Sequence, residues 1–340
     1  MGVELKPLVK ARQINLHDLK GKVVAIDAYN AMHQFLSIIR QRDGTPLKDS
    51  QGRITSHLSG LLYRTANLVE EGIKPVYVFD GRPHPLKLKT LEKRKEIRKE
   101  AEKEWLAALE AGDIEEAFKK AQRTSRIDAE KVEEAKRLLD ALGIPYVDAK
   151  REGEEQAAYM NAKGDVDFVA SQDFDALLFG ARKLVRNLAI TGKRKLPDKQ
   201  IWIDISPEEI SLEKLLEENG INRKQLIDIA ILIGTDFNEG IKGIGPKKAL
   251  NIIKEYGSID AAIEAGKVPE IENYEEVRKI FLEPEVNENY KIEWKEVDER
   301  AAIDILCREH QFSEERVRKA IEKYRKFAKS FRQTSLFDFQ

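Results

Sequence analysis

The stretch DFVASQDFDALLFG, residues 167–180, joins a buried strand to two carboxylates. The run DFVAS has the unbroken apolar character of a strand covered on both faces. Asp173 and Asp175 follow it, with Phe174 between them. If the segment stays extended, this spacing predicts both carboxylates on one side and Phe174 turned into the core. Carboxylates at the start of an apolar core require a partner that neutralises them.

Three more stretches have the same strand character. KVVAIDAYN (22–30) ends as a strand at Asp27, KPVYVFDG (74–81) ends at Asp80, and IPYVDA (144–149) lies between them and DFVASQDFD. Helical spacing separates these strands. Strands alternating with helices predict an α/β fold whose mostly parallel, twisted sheet has helices on both faces. The predicted helices cover the residues after Asp27 through Ile39, 55–72, about 88 to 142, and the stretch EGEEQAAYMNAKG that begins at Glu152.

The second half of the chain is predicted from weaker patterns. Residues 183–189 and 200–205 read as a pair of strands separated by the basic turn TGKRKLPDK. From 206 onward the spacing is helical. The last nine residues, RQTSLFDFQ, follow a predicted helix and are expected to form a free tail.

Composition limits the class of protein. With 340 residues and 41% hydrophobic residues, a globular chain of about two domains is expected. The net charge of −1 argues against a plain nucleic-acid binder, but Lys and Arg are unevenly distributed. Residues 182–199 hold seven of them against one acid, 316–332 eight against one, and 82–126 thirteen against nine. Basic patches beside a separate acidic cluster indicate a protein that binds a polyanion around a metal. The alternative is that these basic residues lie on solvated helix faces, and for residues 82–126 both interpretations stay open.

The remaining composition signals concern location. Cys307 is the single cysteine, which excludes an internal disulfide or a cysteine zinc site and makes a reducing, intracellular location the expectation. The N-terminus has no apolar signal-peptide region, and no apolar run approaches the length of a membrane span. A cytoplasmic protein without membrane contact is therefore expected.

Acidic residues gather where the predicted strands end. In a parallel sheet the carboxyl ends of the strands meet at one edge, where ligands bind. Helix capping explains any one of these acids, but the whole set would repel unless a cation were present. Hard Mg²⁺ or Mn²⁺ suits oxygen ligands, and two such ions give the geometry of phosphodiester cleavage. The histidines show no zinc-ligand spacing. The six acids are Asp27, Asp80, Glu152, Glu154, Asp173 and Asp175.

A second motif lies in GIKGIGPKKA, residues 240–249. It matches the helix-hairpin-helix pattern, in which glycines allow backbone N–H groups to approach phosphate. Lys247 and Lys248 open the helix that follows. Such a hairpin binds the backbone of a DNA duplex without reading its sequence. The alternative interpretation of the motif is an ordinary glycine-rich corner between two helices. Asp236, four residues upstream, adds a seventh carboxylate beside this grip.

Together these motifs resemble the flap endonucleases of archaeal and eukaryotic type, in the structure-specific 5′-nuclease family. The resemblance covers nearly the whole chain. It implies a PIN-like α/β nuclease with a helical arch insertion, two Mg²⁺ ions replaceable by Mn²⁺, and a K⁺ ion in the hairpin. It rests on DGTPLKDSQGRITSHLSGLLYRT, GIKPVYVFDGRP, EGEEQAAY, ASQDFDALLFG, NLAITGKRKLP, LIGTDFNEGIKGIGPKKAL and the tail.

The resemblance also assigns roles to residues. The resemblance implies that the six acids and Asp236 are metal ligands. It also implies that one of them, Asp173, is catalytic. Basic catalytic residues at the arch fall on Lys87 and Arg94, and Gly2 is placed near the active site. His33 stands where the family commonly has a tyrosine that stacks on a base. DNA contacts are expected at His33, Arg64, Lys193, Arg194, Lys195, Gly243, Gly245, Lys247 and Lys248.

The tail resembles the peptide by which such enzymes bind a sliding clamp, PCNA. Gln333, Leu336 and Phe339 fit that pattern, and Phe337 is a substitute for the second aromatic residue, whose usual position holds Gln340. Clamp binding by residues 332–340 is therefore expected.

The resemblance divides the chain into functional regions and implies an activity. It predicts a monomer that cleaves branched DNA with a 5′ flap, with 5′→3′ exonuclease action, in replication and repair. A non-catalytic, clamp-bound junction adaptor is the alternative, although it would not need seven carboxylates. The regions are 1–98 (N-terminal nuclease), 99–126 (arch), 116–258 (internal nuclease, with the hairpin at 236–254), 259–331 (C-terminal helical) and 332–340 (tail).

Overall fold

The structure is a computed structural model that describes residues 2–190, 192–195 and 202–337, with side chains described for 2–190 and 205–330. Its strands are β1 Arg12–Gln13, β2 Val23–Asp27, β3 Lys74–Phe79, β4 Tyr146–Asp148, β5 Phe168–Ala170, β6 Lys183–Arg186, β7 Gly192–Lys195, β8 Trp202–Ile205 and β9 Glu208–Ser211. They form one sheet in the order β1-β9-β6-β5-β2-β3-β4 and a separate ribbon, β7-β8.

The centre of the large sheet is parallel. Strand β2 pairs in parallel with β3 and with β5, and β4 and β6 extend this arrangement outward. Near one edge, β9 runs in the opposite direction and pairs antiparallel with both β6 and the edge strand β1. The predicted mostly parallel sheet is therefore confirmed, and the carboxyl ends of β2, β3, β4 and β5 lie at one edge.

Helices cover both faces of this sheet. In β3, Val76 and Val78 pack into one core and Tyr77 and Phe79 into the other, as strand alternation requires. A fully buried side chain of this size contributes roughly 1.5–3 kcal/mol. The helices are α1 Ala28–Ile38, α2 Ser56–Glu70, α3 Leu88–Glu110, α4 Ile114–Ala121, α5 Ala129–Leu142, α6 Gly153–Lys163, α7 Asp175–Leu178, α8 Leu212–Asn219, α9 Arg223–Ile233, α10 Pro246–Tyr256, α11 Ile259–Glu264, α12 Tyr274–Leu282, α13 Glu299–Ile303 and α14 Glu314–Phe337.

The predicted extended segment through Asp175 is wrong. Strand β5 ends at Ala170, Phe174 already has helical backbone angles (φ −92°, ψ −2°), and Asp175 begins α7. Phe174 is nonetheless buried, as expected. The two aspartates are therefore held together by a tight strand-to-helix connection and not by alternation along a strand.

The predicted pairing of 183–189 with 200–205 is also wrong. Strand β6 pairs with β5 and β9, and β7 pairs with β8. Because Leu184 lies opposite Ile210 and both are buried, burial in the common core accounts for the β6–β9 pairing. Strand β9 interrupts the region after 206 that was predicted to be helical.

The segment from 88 to 142 is helical, as predicted, but in three pieces. Helices α3 and α4 form a hairpin that reverses at Gly112, whose φ of +74° favours glycine. The hairpin rests on the loop after α1, because Trp105 donates a hydrogen bond to the Asp43 carbonyl at 3.1 Å. Its far end continues through residues 122–128 into α5.

The C-terminal helix is longer than expected. Helix α14 reaches Phe337, so Arg332–Phe337, expected to follow a helix as a free tail, continue it instead. No helix among the described residues is long and apolar enough to cross a membrane.

A buried polar network ties the C-terminal region to the nuclease core. His310 lies 3.0 Å from Asp49 and 3.3 Å from Glu134, and His57 lies 3.0 Å from the other oxygen of Glu134. Arg53 completes the network by pairing with Asp49. The carboxylates of Glu134 and Asp49 raise the pKa of His310. Although burial opposes it, the hydrogen bonds that Glu134 and Asp49 receive lower the pKa of each to about 2.

Replacing His310 with glutamine is expected to destabilise the protein more at pH 6 than at pH 9. A histidine with a raised folded-state pKa stabilises fully below its unfolded pKa, and this contribution disappears as the pH rises through the folded pKa. Thermal unfolding of the wild type and His310→Gln at the two pH values measures the difference. The exposed His17→Gln is the control. An equal loss for His310→Gln at both pH values would contradict a protonated His310.

Candidate active site

All seven predicted carboxylates line one cavity of about 390 Å³. Asp27 ends β2, Asp80 follows β3, and Asp173 and Asp175 lie where β5 leads into α7. The remaining three come from the start of α6 and from the loop after α9. The members are Asp27, Asp80, Glu152, Glu154, Asp173, Asp175 and Asp236.

Backbone groups hold these side chains in place. Asp27 caps α1 by accepting a hydrogen bond from the Asn30 N–H at 2.9 Å. Asp80 accepts one from the Gly153 N–H at 2.6 Å, and a Cβ at Gly153 would lie 2.8 Å from the same oxygen. Any side chain at position 153 would therefore push against the Asp80 carboxylate.

The N-terminus reaches the same cavity. The Val3 N–H donates to Asp175 at 2.8 Å, and a Cβ at Gly2 would lie 2.5 Å from the same carboxylate oxygen. The expectation that Gly2 lies near the active site is therefore confirmed in position.

The surroundings of these carboxyl groups disfavour their negative charge unless a cation or a proton neutralises it. Burial, and then the neighbouring carboxylates, raise the pKa of Asp27 and Glu154 well above the usual range. The same causes raise the pKa of Asp80 to about 6 and that of Asp175 to about 7. Glu154 also has a buried oxygen, Oε1, without a hydrogen-bond partner. An oxygen-rich site with an unpartnered buried carboxylate oxygen fits a hard divalent cation.

Lys87 and Arg94 supply positive charge at the cavity wall. Lys87 pairs with Glu152 and lies 3.4 Å from Asp236, which Arg94 also contacts. Although burial opposes it, Glu152 and Asp236 raise the pKa of Lys87. Among the described residues, no three His, Cys, Asp or Glu side chains stand close enough to form a ready-made metal cage.

Helix α3 contributes a stripe to the cavity. Lys87, Leu91, Arg94 and Arg98 are spaced by three and four residues and all line it. Sequence analysis missed Arg98 and Arg126 as members of this wall. The four-residue spacing after Arg94 was the signal that could have identified Arg98.

His33 lies where a base-stacking residue was expected. It lines the cavity, and its Nδ1 lies 3.2 Å from the Ser125 hydroxyl. Burial, and then Arg98 and Arg94, lower the pKa of His33 to about 4. The ring is therefore neutral near pH 7. Tyr29 lines the cavity as well, and it was not predicted.

The predicted hairpin lies between α9 and α10. Its closest backbone approach is not at Gly243 or Gly245, which have open space where a Cβ would stand. It lies at Gly240, where a Cβ would be 2.1 Å from the carbonyl of Ile233. At Gly243 the reason for glycine is instead the backbone conformation, whose φ of +83° other residues rarely adopt.

The helix that follows the hairpin presents donors. The first N–H groups of a helix have no partner inside it, and α10 begins at Pro246, directly after Gly245. Lys247 and Lys248 are exposed beside them. This end of α10 can therefore face a phosphate backbone.

The other residues predicted to contact DNA or the clamp are not among the described residues of the carboxylate cavity and the hairpin. Arg64 lines a smaller cavity of about 20 Å³ that shares Asp27 and Asn30 with the carboxylate cavity. The side chains of Lys193, Arg194, Lys195, Gln333, Leu336 and Phe337, and all of Phe339, lie outside the described part of the structure.

Comparison with known proteins gives consistent matches. Residues 1–101 match the XPG N-terminal domain and residues 143–236 the XPG I-region. Flap endonuclease 1 of Archaeoglobus fulgidus is 57% identical over 323 residues, covering 95% of this chain and 96% of the relative. That of Pyrococcus furiosus is 55% identical over 337 residues, covering 99% and 98%. The solved flap endonuclease-1 of Methanococcus jannaschii is 42% identical with a TM-score of 0.78, covering 97% and 99%.

Proposed function

This chain belongs to the flap endonuclease 1 family and is a structure-specific flap endonuclease, and we propose that it cuts 5′ flaps by two-metal hydrolysis. The observation that carries the proposal is the convergence of seven carboxylates, Lys87 and Arg94 on one cavity. A nuclease needs to neutralise both the attacking oxygen and the scissile phosphate. A non-catalytic adaptor has no need for this arrangement.

The carboxylates would hold two Mg²⁺ ions, or Mn²⁺ in their place. When bound, such ions supply a water of lowered pKa and stabilise the charge on the phosphate. The chain's own part is to fix its ligands: Asp27 and Asp80 are oriented by backbone N–H groups, and Asp175 by Val3. The raised pKa values of Asp80 and Asp175 mean that cation binding competes with protons at those two carboxylates.

Lys87 and Arg94 would act on the DNA. Both side chains contact Asp236. Their charged groups could therefore pair with a phosphate that enters the cavity while they stay beside this carboxylate. A partly buried ammonium and a guanidinium at the scissile phosphate would stabilise the charge that develops in the transition state. Arg94 can also bind two phosphate oxygens at once.

Other regions would position the substrate. Gly243, Gly245, Lys247 and Lys248 would hold the duplex backbone, with a K⁺ ion in the hairpin. Arg64, together with the basic residues Lys193, Arg194 and Lys195, would add phosphate contacts, and His33 would stack on a base. Residues 99–126 would form the arch through which the flap passes, between the nuclease regions 1–98 and 116–258.

The proposed biological setting is DNA replication and repair. A monomer that removes 5′ flaps would leave a nick ready for ligation, with 5′→3′ exonuclease action as a weaker activity. This work takes place on the chromosome, within the cell. Residues 259–331 would support the nuclease through the His310 network.

A cleavage assay tests the proposal directly. A labelled 5′ flap, a 3′ flap and a Holliday junction are incubated with the protein across a Mg²⁺ titration. We expect cutting near the junction of the 5′ flap only, and no cutting in EDTA. Equal cutting of the other two substrates would contradict the specificity, and metal-independent cutting would contradict the two-metal mechanism.

Truncation after Arg332 tests the clamp proposal. Gln333, Leu336, Phe337 and Phe339 would bind PCNA, so their removal is expected to leave clamp-free cleavage unchanged and to abolish stimulation by the clamp. Flap cleavage with and without added clamp measures both. Full stimulation of the truncated chain would exclude residues 333–340 as the contact.

A further inference from the structure

Asp173 is oriented differently from its neighbours in the carboxylate cavity. Three of the other carboxylates each accept a backbone N–H. Among the described residues, the hydrogen bond to Asp173 comes from a side chain, because Asn30 Nδ2 donates to Asp173 Oδ2 at 3.4 Å. The negative charge of the acceptor strengthens this long contact. The orientation of the Asp173 carboxylate therefore depends on which residue stands at position 30.

The direction of the Asn30 amide is set by a group that can only donate. The backbone N–H of Gln172 lies 3.3 Å from one end of this amide, so that end must be the oxygen, Oδ1. The side-chain amide of Gln34 turns its nitrogen to the same oxygen. The opposite end of the Asn30 amide is therefore its NH2 group, and it faces Asp173 as a donor.

The fold does not need the Asn30 side chain for capping α1. Asp27 caps this helix through the backbone N–H of Asn30 at 2.9 Å, and every residue except proline supplies that group. Substituting the Asn30 side chain therefore leaves the Asp27 contact in place and removes the contact to Asp173. The two carboxylates can be perturbed separately.

An uncharged donor suits a residue that orients a metal ligand. A lysine or arginine at position 30 would neutralise Asp173 and compete with a cation for it, whereas an amide orients the carboxylate and leaves its charge. Asn30 Oδ1 already accepts from Gln172 and Gln34, so this oxygen is committed and Asn30 is not itself a ligand. Hydrogen-bonded partners of this kind commonly orient the carboxylates that bind metals.

We propose that Asn30 is a positioning residue of the metal site, which holds Asp173 Oδ2 so that the other carboxylate oxygen, Oδ1, is left for a divalent cation. Asn30 acts through Asp173 and sets how tightly the cation binds. The inference rests on the proposed two-metal cleavage and deepens it by naming a residue that tunes metal affinity.

Asn30→Leu removes the donor and keeps a side chain of nearly the same size. We expect this variant to need about 10–100 times more Mg²⁺ for half-maximal cleavage of a 5′ flap, the cost of losing a residue that orients a ligand. Its rate at saturating Mg²⁺ should approach that of the wild type, and flap binding in EDTA should not change. An unchanged Mg²⁺ requirement would overturn the proposal, as would a low rate that saturating Mg²⁺ does not restore.

Thermal unfolding across the same Mg²⁺ series gives a readout that does not depend on cleavage. Ions that bind only the folded site raise the melting temperature, so Asn30→Leu should need more Mg²⁺ by the same factor for a given rise. The metal-free melting curve shows whether the variant folds. If it does not, Asn30→Ser, whose side chain ends farther from Asp173, is expected to show the same shift. If neither variant folds, the side chain has a structural role and the proposal is overturned.

Gln34→Met is the matched control. It removes a hydrogen bond from the same amide, but the Gln172 N–H still holds Oδ1, so Asn30 keeps its donor toward Asp173. Gln34 does not line the carboxylate cavity. Its Mg²⁺ requirement should match that of the wild type. A shift as large as that of Asn30→Leu would assign the effect to disturbed packing of α1 and overturn the proposal.

The wild type separates this inference from the function on which it rests. If the wild type cuts no flap and gains no stability from Mg²⁺, the proposed two-metal cleavage fails. If the wild type does both and Asn30→Leu has the same Mg²⁺ requirement, cleavage stands and only the role of Asn30 fails.

Discussion

Replacing Glu154 with glutamine is expected to abolish flap cleavage and, at the same time, to make the metal-free protein more stable. Burial of the carboxyl group, and then the neighbouring carboxylates, raise the pKa of Glu154, and its Oε1 has no hydrogen-bond partner. Glutamine removes the charge that these surroundings disfavour, so the melting temperature without metal should rise at pH 8. It also removes a proposed metal ligand. Losing a residue that only orients a metal ligand costs about 10–100-fold in activity, so losing a ligand itself should cost more.

Two measurements check this prediction. Cleavage of a 5′ flap in Mg²⁺ gives the activity, and thermal unfolding with and without Mg²⁺ gives the stability. The wild type should gain stability from Mg²⁺, because ions that bind only the folded site stabilise it. Glu154→Gln should gain much less. Wild-type cleavage by this variant would remove Glu154 from the metal site.

The adjacent residue is a matched control. Glu155 is also buried, and burial raises its pKa to about 7, but it faces the backbone N–H groups of Glu152 and Glu285 and does not line the cavity. Glu155→Gln therefore makes the same chemical change one residue away. It should keep cleavage and the stabilisation by Mg²⁺.

The gathering of the carboxylates could be predicted because it follows from sheet topology. Asp27 and Asp80 end neighbouring parallel strands, and parallel strands present their carboxyl ends at one edge. Asp236 is different, because it lies in a loop after α9, and it was singled out by its place beside the hairpin motif and by the family resemblance, not by sheet topology. The structure brings it to Lys87 and Arg94.

Predictions from the local sequence pattern were wrong where packing against residues distant in the sequence decides the conformation. Residues 183–189 looked like a hairpin partner of 200–205 because the two are close in sequence, but burial pairs Leu184 with Ile210. Asp175 looked extended because it follows a strand, yet it begins α7. In both cases the apolar content was interpreted correctly; the strand partner was wrong in the first case and the backbone conformation in the second.

Tyr29 was missed for a related reason. Directly after a buried strand, a tyrosine on a helix is most simply a core residue. Whether its ring faces the core or a cavity depends on Phe79, fifty residues away in the sequence. Sequence alone gave only the four-residue spacing to His33.

Replacing Lys87 with alanine is expected to lower kcat by about 10²–10³-fold, the cost of losing one preorganised donor to a developing oxyanion, while flap binding stays nearly unchanged. Lys87 is one cation among the many basic groups proposed to contact DNA, so it should add little to total affinity. Its proposed effect is confined to the transition state. Single-turnover cleavage and equilibrium binding, measured on the same 5′ flap, separate the two contributions.

Lys89→Ala is the matched control, because Lys89 lies two residues further on, is exposed, and contacts Glu239 at 3.5 Å outside the cavity. It should cleave at the wild-type rate. Lys87→Ala should also keep the stabilisation by Mg²⁺ that Glu154→Gln loses, since it leaves every carboxylate in place. Loss of that stabilisation together with activity would mean that Lys87 organises Glu152 and Asp236 and does not act on the phosphate. Wild-type cleavage by Lys87→Ala would exclude both roles, so the two measurements together decide what the Lys87 ammonium does.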